Sequence, residues 1–172
     1  SSSSRGLGDV YKRQVIEESL DIVKWILGQS DPSQLLIPLH DKNEDVDYLI
    51  SLFDNKFKFH LDRYKYSTRY DVTQRQKHRD SASEILKLID DKITESGFIY
   101  GNKVSVYELC ILPLVRQFMI ADPRWFEEHF KLEKLKKSLQ DFIDSQAFRV
   151  TMKKYDEWIS DKSKIQYFPS LE

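Results

Sequence analysis

Glu18 and Ser19 stand side by side where an apolar-periodic segment begins, in the stretch "VIEESLDIVKWIL" at 15–27. A helix N-terminus offers unpaired amides and the positive end of the helix dipole, which favours a ligand carboxylate. The Ser19 hydroxyl could donate to that carboxylate, and the Glu18 carboxylate could pair with a ligand ammonium. Plain capping is the competing explanation, in which Ser19 only satisfies an amide of its own helix.

Other residues carry weaker chemical signals. Phe57, His60, Leu61 and Tyr64 recur at steps of three and four, a largely aromatic stripe that core packing explains. His40, His60, His78 and His129 show no i, i+4 pairing, so no metal site is expected. Cys110 falls in the most apolar segment, where a small core residue is expected rather than a nucleophile. "HRD" at 78–80 matches the start of a protein-kinase catalytic loop, but Ile85 stands where the asparagine belongs and no Gly-rich loop precedes it. "HLDRYKYSTRY" mixes Arg63, Lys65 and Arg69 with tyrosines, as nucleic-acid binders do. The chain as a whole has 27 basic and 28 acidic residues, so no general field recruits nucleic acid or an anionic membrane. Asp90 and Asp91 read as a solvated helix face.

These residues need helices to position them. At 172 residues the chain suits one ordinary domain, and five Gly with five Pro imply few tight turns. A single cysteine excludes an internal disulfide framework, and a reducing, cytoplasmic setting fits best. No apolar run reaches the ~20 residues of a membrane-spanning helix. Residues 1–14 lack periodicity and read as linker- or adapter-derived sequence or as a disordered segment. Expected next are a helix at 19–28 on Leu20, Val23 and Leu27, stopped by Gly28, and a linker at 29–42. Long helices are then expected at about 43–66 and 74–95, the second ended by Gly97.

Ser105 and Glu108 form a capping-box pattern ahead of the apolar helix "VSVYELCILPLVRQFMI". Val104 and Leu109 stand at its staple positions, and Pro113 should bend it. "DPRWFEEHF" reads as a connection, followed by helices at 132–145 and 146–160, the last holding Phe148, Met152, Tyr155 and Trp158. Residues 161–172 form a tail. The expected fold is an all-α bundle around one buried central helix.

The order of these segments resembles the cytosolic glutathione transferases, bacterial glutathione transferase-like proteins in particular. "VIEESLDIVKWIL" is similar to the helix that ends the family's thioredoxin-like domain. "FKFHLDRYKYSTRY" with "HRDSASEILKLIDDKI" is similar to the first two long helices of the C-terminal domain. "GFIYGNKVSVYELCILPLVRQF" is similar to the family's loop, capping box and central helix. The resemblance implies a remnant helix at 15–28, an interdomain linker at 29–42 and a C-terminal-like domain at 43–160. It also implies that most of the thioredoxin-like domain, with its thiol-activating residue and cis-proline, is missing.

On this resemblance Glu18 and Ser19 would hold the γ-glutamyl end of glutathione, with Glu17 the weaker partner because the family's acidic residue directly precedes the serine. Phe57, His60, Leu61 and Tyr64 would face the apolar co-substrate. The parent would be a homodimeric enzyme acting through the glutathione thiolate, and this chain alone would be inactive. A non-catalytic helical interaction module is the competing expectation.

Overall fold

The computed structural model describes residues 19–154, and in them every regular element is helical. The helices are α1 (Ser19–Gln29), α2 (Ile37–His40), α3 (Val46–Leu52), α4 (Lys58–Lys65), α5 (Arg75–Lys92), α6 (Val106–Ala121), α7 (Pro123–His129), α8 (Glu133–Asp144) and α9 (Gln146–Thr151). Tyr155 and Trp158 of the expected last helix and the tail lie outside the described residues, as do Glu18 and the segment before it.

α6 is the buried axis. Val106, Tyr107, Ile111, Leu112, Val115 and Phe118 are all buried, and helices from both sides pack on them. Its N-terminus is fixed by the expected capping box. The Ser105 hydroxyl accepts from Tyr107 N–H at 3.3 Å, while Glu108 reaches back to Ser105 N–H at 2.7 Å. Glu108 does more than close the box. Its Oε1 accepts from the Ile99 amide at 2.6 Å, and the Ser105 hydroxyl donates at 2.8 Å to Oε2, the oxygen that also takes the Ser105 amide. A carboxylate only 2% exposed thus has three donors and the favourable end of a helix dipole.

The approach to α6 is held by backbone instead of the expected staple. Val106 N–H donates to the Leu35 carbonyl at 2.8 Å, whereas Val104 is left exposed. Pro113 lies on the exposed side of α6, where solvent can serve the Leu109 carbonyl that a proline cannot reach.

The expected 43–66 helix is one continuous stretch of three parts. Asp45 starts it by accepting from Tyr48 N–H at 2.9 Å. Between α3 and α4, Phe53–Phe57 is π-helical, and Lys58 N–H donates to the Phe53 carbonyl five residues back. Two successive steps of four residues would turn an α-helical stripe by about 40° each. The wider turn absorbs that drift and keeps Phe53, Phe57 and Leu61 buried together.

Several boundaries move for identifiable reasons. α1 runs through Gly28 to Gln29, because nothing at Gly28 demands a left-handed backbone, and Asp31-Pro32 follows where the chain turns. α5 ends at Lys92 with Ile93 already extended, while Gly97, at φ +85°, serves the turn beyond. The linker contains α2. "DPRWFEEH" is a capped helix, with Asp122 accepting from Trp125 N–H at 3.1 Å and Pro123 in the first turn. Asp90 is not merely solvated: it accepts from the Leu135 amide at 2.9 Å and so caps α8 from another helix.

Phe118 gathers Phe57, Tyr64, Trp125, Phe126 and Phe130 around it, with ring centroids 5.2–6.5 Å away. Tyr64 is the polar exception in this cluster. Its hydroxyl is buried without a hydrogen-bond partner among the described residues, and burial raises its pKa to about 12.

Two substitutions separate these contributions. Ser105→Ala should cost about 0.5–2 kcal/mol as a lost cap, while Glu108→Gln should cost more, because an amide turns donors toward donors. Urea denaturation of both variants checks the order, and equal losses would mean that Glu108 acts only through the box. Tyr64→Phe removes the unserved hydroxyl, so its stability should be unchanged or up to about 1 kcal/mol higher. A clear loss in the same measurement would show that Arg75, 4.6 Å from the Tyr64 ring centre, serves the hydroxyl.

Candidate functional site

α1 leans on the bundle with one face and leaves the other open. Leu20 and Val23 pack against the core, and Lys24 pairs with Asp47 of α3 at 2.6 Å. Between α1 and the 46–57 stretch lies a groove of about 510 Å³. Leu20, Asp21 and Lys24 form one wall, and Asp47, Ile50, Ser51, Asp54 and Asn55 form the other. Part of that second wall is the π-helical turn, a distortion often found beside functional sites.

Charge in the groove is unbalanced, with Asp21, Asp47 and Asp54 set against Lys24. Burial raises the Asp54 pKa, partly offset by Lys58. Behind the groove on α6, burial and the nearby Asp54 push the Cys110 thiol up to about 11, with Lys24 acting weakly the other way. The arrangement suits a ligand ammonium, and Cys110 is a neutral thiol at physiological pH.

Ser19 opens α1 and directly precedes the groove residues Leu20 and Asp21; the described structure covers its backbone but not its side chain. Phe57, Leu61 and Tyr64 are buried in the core. Of that stripe only His60 reaches the surface, and its Nδ1 lies 2.9 Å from Nδ1 of His78. The sequence held no sign of this contact, since the two histidines come from different helices.

A second groove, about 290 Å³ and mostly apolar, opens beside Pro113 of α6. Leu109, Pro113, Phe142, Phe148 and Met152 line it, and Arg116 stands over the Phe148 ring at 5.3 Å. The basic-aromatic segment is largely occupied with itself. Arg63 lies 3.5 Å from the Phe59 ring centre and 4.6 Å from that of Tyr70, and Arg69 covers Tyr66 at 4.8 Å. Those faces are taken by the protein's own cations. Arg79 of "HRD" likewise packs on Trp125 at 4.2 Å, joining α5 to α7.

Among the described residues no helix is long and apolar enough to cross a membrane. No family model matches the chain, and neither the curated proteins nor the solved structures give a significant match.

The Cys110 environment is directly testable. At pH 8 a thiol of pKa about 11 is ionised in only about one molecule per thousand, so labelling of the native protein by a thiol reagent should be very slow. It should accelerate sharply when urea unfolds the chain. Rapid native labelling at pH 8 would show that the thiolate is stabilised after all.

Proposed function

We propose that this chain is the helical part of a glutathione transferase-like protein, with Glu18 and Ser19 holding the γ-glutamyl end of glutathione. The observation that supports this reading most is the acidic groove immediately beyond Ser19, where Asp21, Asp47 and Asp54 favour an ammonium group. The ligand carboxylate would take the α1 N-terminus, and the Ser19 hydroxyl would donate to it.

In the complete protein a thioredoxin-like unit would activate the glutathione thiol, which would attack an apolar electrophile. With Phe57, Leu61 and Tyr64 in the core, the groove at Pro113 is the better-suited described surface for that electrophile. Such a protein would work in a reducing, cytoplasmic setting. Cys110 takes no part in the chemistry.

A second reading is a non-catalytic interaction module of the same helical type. The outer face of α1 favours it, because Trp25 and Ile26 are 58% and 52% exposed with Ile22 beside them. The transferase reading needs the same face covered, in that case by the thioredoxin-like unit.

Glutathione titration followed by amide NMR distinguishes the two. The transferase reading expects weak binding with shifts confined to the first turn of α1 and the 47–55 wall, lost in Ser19→Ala. It also expects coding sequence for a thioredoxin-like unit upstream of residue 15. No shift at α1 together with no such unit would leave the interaction module standing.

A further inference from the structure

The His60–His78 contact joins α4 to α5 through two like atoms. The Nδ1 atoms are 2.9 Å apart and the ring centroids 5.1 Å apart, so almost the full radius of each ring adds to the gap. The nitrogens therefore meet head-on. Two imidazole nitrogens bound at ~2.0–2.1 Å to one tetrahedral metal ion would stand about 3.3 Å apart, farther than these two. Among the described residues no group of three metal-ligating side chains forms either. The geometry is that of a proton held between two rings, one Nδ1 donating and the other accepting. Phe59 fences the pair, edge-on to His60 at 5.2 Å and to His78 at 5.8 Å.

Proton count decides whether the contact survives. With both rings neutral, one Nδ1–H donates to the bare Nδ1 opposite. A first added proton leaves that bond possible, because the imidazolium still faces an acceptor. A second places N–H groups on both sides of the gap, with two positive charges and no acceptor between them.

The surroundings oppose added charge. His60 feels Lys56 from the π-helical turn, Arg63 from its own helix, and Lys77 and His78 from α5. His78 feels Arg63 and Lys77, while the Asp71 carboxylate before α5 acts in the other direction. Burial is the largest cause in both cases, and both imidazoles are held below the ordinary histidine value.

We propose that His60 and His78 form a proton-operated latch between α4 and α5, closed while at least one ring is neutral and released when both are charged. Because the folded state resists protonation, the unfolded chain takes up protons first as pH falls. The stabilisation is therefore complete above the ordinary value of about 6.5 and shrinks as pH drops below it.

Imidazole ¹⁵N spectra of the protein test this directly. Above pH 7 a coupling across the hydrogen bond should link the two Nδ1 atoms, and on the acid side it should vanish when the second ring takes up its proton. In the same interval the amides of 58–65 should exchange faster than intrinsic chemistry predicts. His78→Asn, whose amide oxygen can accept without taking a proton, should flatten both the exchange change and the acid-side fall in melting temperature. Absence of the coupling, independent titration of each ring near 6.5, or unchanged pH dependence in His78→Asn would overturn the proposal. Should that variant not fold, the wild-type coupling and titration decide the matter alone.

Discussion

The Glu108 carboxylate is the interaction on which the rest of the structure depends. It is buried at the first turn of the central helix and binds the loop at Ile99, the cap residue Ser105 and the helix start together. A buried charge is costly unless every lone pair is served, so the same bonds that stabilise it also forbid other loop conformations. With the loop fixed, Val106 can reach the Leu35 carbonyl and Tyr107 can donate to Glu44 at 2.6 Å. Lys92 closes that cluster on Glu44 from the end of α5. One carboxylate thus sets where α6 begins and where the preceding linker and α5 must lie.

From that fixed point the core follows by packing. α6 presents Ile111, Val115 and Phe118 to the aromatic cluster, and the π-helical turn between α3 and α4 keeps Phe53 and Phe57 in register with them. At the far end, Arg75 donates to the Ala121 carbonyl at 3.0 Å and lies 3.5 Å from Asp122. A cation is therefore placed at the negative end of the α6 dipole. The central helix is held electrostatically at both ends and by apolar contact along its length.

This division explains what the sequence could and could not reveal. Ser105 and Glu108 were legible because a capping box is local, both partners falling within one turn. The helical class and the core face of α5, with Ala82, Ile85, Leu86 and Ile89, were legible from periodicity. Periodicity says little about ends, so Gly28 and Gly97 were assigned stops that the backbone does not use. Contacts between distant segments left no trace in the sequence. Asp90 capping α8 and His60 meeting His78 both require knowing how α5 packs on its neighbours. The stripe of Phe57, Leu61 and Tyr64 was legible as a stripe, but only packing shows that it faces inward.

The same logic locates the weakest joint. Among the described residues α1 is attached through Leu20, Val23 and the Lys24–Asp47 pair, and it carries an exposed apolar face. An exposed ion pair contributes little, so the angle of α1 is set mainly by two apolar residues. The groove beyond Ser19 has α1 as one wall and the firmly packed 46–57 stretch as the other. A partner seated on Ile22, Trp25 and Ile26 would therefore alter its width by pressing on α1. In a glutathione transferase-like protein the covering unit would also carry the thiol chemistry, so docking it would shape the γ-glutamyl site and bring the nucleophile in one step. In an interaction module the partner itself would shape the groove. Under either reading, a partner on the apolar face of α1 would set the shape of the groove beside it.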